Sequence, residues 1–170
     1  MNLEELLTNT THLRSLQNKT YDNRYFNETF KPLLDIGQHF EQLAISRILK
    51  YYNYKPSIQV IRENTNEYDI DVNNLKYEIK TDIKAVQTSN IFVEFVCNAK
   101  PSGIIITKAN YYIFVIPYSS PIYILIDVLE LEFLLSTHQF ESIFQPNMYN
   151  NFTGGYIFKV ETVIKNGTLI

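Results

Sequence analysis

Apolar positions recur at helical spacing over one long segment and then switch to alternation. From about Phe30 to Tyr52, the residues Leu34, Gly37, Ala44, Ile45 and Ile48 fall on one stripe, which predicts a strong amphipathic helix. Pro32 suits the first turn of that helix, where a missing N–H goes unused, and Pro56 ends any continuation. Beyond it the period drops to two. Ser57–Arg62, Tyr68–Val72 and Leu75–Lys80 alternate, and Ile91–Cys97 reads as a further strand. Asn73-Asn74 suits a tight two-residue hairpin turn, because asparagine tolerates positive φ. Tyr111–Ile116 and Ile122–Ile126 flank Pro117-Tyr118-Ser119-Ser120-Pro121 and predict a second hairpin. Asp127-Val128-Leu129-Glu130 is a capping-box-like start to a helix running to about His138. Gly155–Val160 predicts a late strand, with Gly154-Gly155 as a turn. The polar segment 1–27 reads as an N-terminal extension with a short helix (Leu3–Leu7, Leu13–Leu16) and a loop. This order predicts one α/β (α+β) domain over 1–170, with a central mixed β-sheet flanked by helices.

The alternation also sorts chemistry. With Asn73-Asn74 as the turn, Val72 faces Leu75, Asp71 faces Lys76, Ile70 faces Tyr77 and Asp69 faces Glu78. Asp69, Asp71, Lys76, Glu78, Lys80 and Asp82 then share one face, and Ile70, Val72, Leu75, Tyr77 and Ile79 the other, which can pack on a helix. Two opposed carboxylates repel. A divalent cation between them removes that cost, and magnesium takes a few carboxylates while leaving positions for phosphate oxygens. A lysine on the same edge can position a water or neutralise charge developing on phosphorus. The same alternation also suits the solvated face of any antiparallel hairpin. Glu41 adds a second feature, since it interrupts the apolar stripe between Gly37 and Ala44-Ile45. A carboxylate there needs a partner or a metal unless it reaches solvent at the stripe's edge.

Composition narrows the class. The chain has 170 residues, 45% hydrophobic and 19% charged, which is globular rather than disordered. A formal charge of -3 excludes a strongly basic nucleic-acid coat protein but leaves room for a nuclease with a local basic groove. It also suggests limited non-specific backbone contact, or a protein partner that supplies DNA affinity. One cysteine excludes an internal disulfide framework and a Cys-rich zinc site. Abundant Asn, Ile and Lys hint at an AT-rich coding sequence, as in a phage, virus or AT-rich bacterium. The N-terminus shows no targeting signal. The longest apolar runs are strand-length, far short of the ~20 residues a membrane helix needs. A soluble, intracellular protein with no membrane partner is expected.

Tyr-Asp-Ile-Asp-Val (68–72) followed by Tyr-Glu-Ile-Lys-Thr-Asp (77–82), with an upstream helix reading Ile-Gly-Gln-His-Phe-Glu-Gln-Leu-Ala (36–44), resembles the PD-(D/E)XK nuclease superfamily. That superfamily includes Holliday-junction resolvases, many restriction endonucleases and phage recombination nucleases. The resemblance covers roughly Ile36 to Val115. Downstream, Ser102-Gly103-Ile104 and Thr107-Lys108-Ala109-Asn110-Tyr111-Tyr112 are similar to phage-type members. The chain departs from them at Asn110, where an acid is frequent, and at Tyr68, where the motif proline stands. The resemblance implies a restriction-endonuclease-like fold and a metal-dependent deoxyribonuclease. It implies Asp69 and Glu78 as metal ligands, the main-chain carbonyl of Ile79 as a further ligand, Lys80 as the catalytic lysine and Glu41 as the accessory helix acid. Magnesium is the implied cofactor, with manganese as a substitute, and DNA the partner. A homodimer is usual among its resolvases.

Asp71 competes with Asp69 for the ligand role because both share a face. Asp69 is favoured by its place opposite Glu78. Asp71, Asp82, Gln87 and Glu94 are accessory candidates. Lys84, Lys100 and Lys108 could reach phosphate or simply be solvated. His12, His39 and His138 have no metal spacing, and Cys97 reads as a small buried hydrophobe. Phe92, Phe95, Tyr111, Tyr112 and Phe114 read as core rather than as a base-stacking platform. Two other functions compete with the nuclease: a non-catalytic nucleic-acid-binding module on the same fold, and an unrelated interaction protein whose hairpin happens to be charged.

Overall fold

The computed structural model describes residues 26–54, 60–62, 67–98, 100–145 and 153–170. The expected N-terminal helix at Leu3–Leu7 and Leu13–Leu16, and the strand residues Ser57–Gln59, lie outside them. Helix α1 (Phe26–Tyr51) leads into β1 (Val60–Arg62), β2 (Ile70–Val72) and β3 (Leu75–Thr81). A crossover follows, made of α2 (Ala85–Thr88), β4 (Asn90–Cys97), β5 (Lys100–Pro101) and a 3-10 turn (Gly103–Ile105). The chain then forms β6 (Tyr111–Ile116), β7 (Ile122–Asp127), α3 (Val128–Ser136), β8 (Ser142–Phe144), β9 (Gly154–Lys159), α4 (Val160–Asn166) and β10 (Thr168–Leu169).

The fold is mixed α+β, with a mixed central sheet flanked by helices. That sheet has the order β1-β2-β3-β6-β7-β10. β3 and β6 run parallel, and the remaining neighbours antiparallel. A parallel pair needs a long crossover, and here the crossover builds part of a second sheet, β5-β4-β9-β8. One face of the central sheet packs Ile70, Val72, Tyr77, Ile79, Ile113 and Val115 against Ala44 and Ile48 of α1. The other packs Tyr112, Phe114, Ile124 and Ile126 against Ile91, Val93 and Phe158 of the small sheet and Leu131, Leu134 and Val163 of the later helices. β6 and β7 are therefore covered on both sides, which is why their sequences read as unbroken apolar runs rather than alternating ones.

Several expectations shift. Helix α1 begins four residues before Phe30, so Pro32 lies inside it rather than in its first turn. Helix α3 ends at Ser136, short of His138, whose φ of 57° is left-handed. Its start is as expected, with the Asp127 carboxylate accepting from the Leu129 N–H at 2.8 Å. Gly154-Gly155 is not a turn but the start of β9. A side chain at Gly155 would meet the Phe92 ring at 2.4 Å, so the glycine lets that ring lie on the strand. The small sheet's edge strands and helix α4 were not anticipated. Among the described residues, no helix is long and apolar enough to cross a membrane.

Candidate functional site

The β2–β3 hairpin turns at Asn73 and Asn74, with φ of 57° and 65°, the left-handed pair that a tight hairpin requires. Its register is Val72 opposite Leu75, Asp71 opposite Lys76 and Ile70 opposite Tyr77, as the alternation predicts. The ladder pairing ends there: the Asp69 N–H donates at 2.9 Å to the carbonyl of Tyr77, already the partner of Ile70, so Asp69 does not take the expected place opposite Glu78. The two candidate acids then diverge. The Asp71 carboxylate accepts from the Asn74 N–H at 2.9 Å and closes the turn. The Asp69 carboxylate accepts from the Ile79 N–H at 2.6 Å, at the end of the hairpin that carries Glu78 and Lys80. In an extended strand the N–H and C=O of one residue point to the same edge. The Ile79 carbonyl therefore faces the side of β3 on which Asp69 lies, beyond the end of β2.

Glu78 is only 6% exposed. Its carboxylate meets the Lys80 ammonium at 2.6 Å, while the lysine side chain remains 46% exposed. Burial raises the Glu78 pKa above the ordinary carboxylate value; Lys80 opposes that rise, and Asp69 and Glu41 add to it. Burial likewise works against the Lys80 charge, but Glu78 and Asp69 outweigh it and hold the lysine above its ordinary value. Lys80 is thus a cation as the protein stands.

Glu41, on α1, lies within electrostatic range of Asp69, Glu78 and Lys80. It lies three and seven residues before Ala44 and Ile48, which are fully buried, and is itself half-buried. Its pKa is raised by burial and by Asp69, and lowered by Arg62 and Lys80. Glu41, Asp69, Glu78 and Lys80 therefore interact electrostatically at one end of the sheet, although they come from a helix, a loop edge and a strand.

The other candidates fall elsewhere. β3 ends at Thr81, so Asp82 leaves the hairpin face. One Asp82 oxygen accepts from the Ala85 N–H and the other from the Phe92 N–H, both at 3.0 Å, tying α2 and β4 to the sheet end. Gln87 is exposed on α2, and Glu94 lies on β4. Glu94 accepts a hydrogen bond from the Ser102 hydroxyl. Gly103, at φ +51°, packs so closely on the Glu94 backbone that a Cβ would lie 2.3 Å from its carbonyl oxygen. Lys108 pairs with Glu67 at 2.7 Å. Cys97 is half-buried rather than buried. Tyr112 and Phe114 are core residues, as expected.

Two residues near the site escaped the sequence reading. Arg62, on β1, sits within electrostatic range of Glu41. Tyr112 pairs with Glu78 across the parallel β3–β6 contact. Arg62 had a signal, as the last residue of an alternating strand before the motif acid. Tyr112 had no signal for the site, because it lies within an apolar run and reads as core.

A hard divalent cation suits this donor set chemically. Asp69, Glu78 and Glu41 offer oxygens, the Ile79 carbonyl faces the same edge, and Asp69 raises the proton affinity of Glu41 and Glu78, a repulsion a cation would relieve. Among the described residues, no three His, Cys, Asp or Glu side chains close into a ligand cage. Glu78 is engaged with Lys80, and Asp69 with the Ile79 N–H. No protein-family model, curated protein or solved structure matches the chain.

Proposed function

We propose that this protein is a magnesium-dependent DNA endonuclease of the PD-(D/E)XK type. The observation that carries the reading is the electrostatic coupling of Glu41, Asp69, Glu78 and Lys80 near the end of the hairpin, with Glu78 buried among them. Asp69, Glu78 and the Ile79 carbonyl would hold the ion, with Glu41 as the accessory acid. Magnesium, when bound, supplies Lewis-acid charge for the phosphate oxygens. Lys80, half-exposed and cationic, turns from Glu78 toward the scissile phosphate, where it orients the attacking water and stabilises the charge that develops. The ester bond to the leaving oxygen breaks as water adds to phosphorus. Such an enzyme acts on DNA inside the cell.

One observation favours a second reading. Glu78 with Lys80, and Asp69 with Ile79, form a self-contained polar network, which a non-catalytic nucleic-acid-binding module on the same fold would also keep. Labelled branched, double-stranded and single-stranded DNA, incubated with magnesium, with manganese and with excess chelator, separates the two. Cleavage that appears with metal and stops with chelator supports the nuclease. Binding without cleavage of any substrate supports the module.

A further inference from the structure

Tyr112 is 2% exposed, and its hydroxyl is buried without a hydrogen bond. Thr107 lies close by, but its hydroxyl already donates to the Glu67 carbonyl at 3.0 Å and accepts from the Ala109 N–H at 3.1 Å. A buried hydroxyl with no partner is costly, so its persistence calls for a reason. Its position supplies one. Glu78 and Tyr112 are register partners on adjacent parallel strands, so their side chains lie on the same face of the sheet. Glu78 and Lys80 are the first charged groups acting on that phenol, and the phenol acts in turn on Lys80.

The nuclease reading makes a demand at this spot. In the nuclease reading the half-exposed Lys80 ammonium gives up its 2.6 Å contact with Glu78 to turn to the phosphate. When it leaves, Glu78 stays behind as a buried carboxylate that has lost a donor, which is unfavourable. We propose that Tyr112 is a positioning residue: its hydroxyl donates to the Glu78 carboxylate once Lys80 turns to the substrate, holding Glu78 in place and releasing the lysine. The purpose of this exchange rests on the nuclease reading, but the exchange itself can be measured without DNA or metal. Groups next to carboxylates that bind metals commonly act this way, fixing their orientation through a hydrogen bond.

The test is a double-mutant cycle on thermal stability, using Tyr112→Phe and Lys80→Ala, followed by single-turnover cleavage. In the wild-type background Tyr112→Phe removes only an unpartnered hydroxyl, so Tm holds or rises. In the Lys80→Ala background the hydroxyl has become the donor to Glu78, so the same change lowers Tm by about 2–4 °C. In cleavage, Tyr112→Phe lowers the rate at saturating DNA roughly tenfold, within the lower range for positioned groups, and leaves DNA affinity unchanged. Equal Tm effects in both backgrounds would overturn the exchange even if the wild type cleaves DNA. A reversal of sign with no cleavage by the wild type under any divalent ion would sustain the exchange and overturn the nuclease reading.

Discussion

Two carboxylates four residues apart, Glu78 buried and Asp82 partly buried, meet opposite fates. Burial raises the pKa of both Asp82 and Glu78. Asp82 then receives two backbone N–H donors, from Ala85 and Phe92, that its own chain fixes in place. Glu78 receives one half-exposed ammonium and two carboxylate neighbours, Asp69 and Glu41. Asp82 is used up in joining a helix and a strand to the end of the sheet. Glu78 keeps unspent capacity for a positive charge. Burial and residue type alone do not distinguish the two acids; the number and mobility of their donors do.

The largest expected effect breaks the comparison on activity. Glu78→Ala should lower magnesium-dependent cleavage roughly 10³-fold, the scale of losing a main electrostatic group, and abolish the magnesium binding heat in calorimetry. Its stability should stay within about 1 kcal/mol of wild type, because removing the acid also removes like-charge repulsion. Asp69→Asn is the companion variant for the other acid. It keeps an acceptor for the Ile79 N–H, whereas Asp69→Ala would strand that donor and confuse folding with chemistry.

The next effect runs the other way. Asp82→Ala should cost about 3 kcal/mol in denaturant unfolding, because two backbone N–H groups lose their acceptor. A loss below about 1 kcal/mol would mean that the contrast with Glu78 is wrong.

The smallest effects are in titration. Lys80 lowers the Glu78 pKa, so Lys80→Ala should move the Glu78 carboxyl resonance to a higher midpoint and leave that of Asp82 where it was. Stability should follow in sign. A carboxyl whose folded pKa is raised binds its proton more tightly when folded than when unfolded. Stability is therefore greatest below the ordinary value of 4.5 and falls as pH rises through the raised one. Glu78→Gln should flatten that part of the pH–stability curve. A steeper curve in the variant would contradict the assigned direction.

Part of the candidate site's geometry was legible in the sequence. Period-two alternation around Asn73-Asn74 set the hairpin register, and an acid interrupting an apolar helical stripe marked Glu41. What stayed hidden depends on tertiary pairing. Asp82 continues the alternation on paper, yet the strand stops at Thr81 and the carboxylate turns to backbone donors. Tyr112 looks like any core aromatic until the long crossover brings β6 alongside β3. Gly154-Gly155 carries a turn's composition, but Phe92 occupies the space a side chain would need. The edge strands β5 and β8, two and three residues long, are too short to leave a period.

The central claim is that Lys80 acts on the transition state and is not merely the counter-ion of Glu78. Single-turnover cleavage and equilibrium DNA binding, measured for Lys80→Ala and wild type at one salt concentration, test it most directly. The expected result is a cleavage rate lowered roughly 10²-fold or more, with DNA affinity nearly unchanged, since one phosphate contact among several carries a small share of binding. Equal losses in rate and affinity would make Lys80 a phosphate anchor. No loss in either would make the hairpin an ordinary charged strand pair and contradict the enzyme reading.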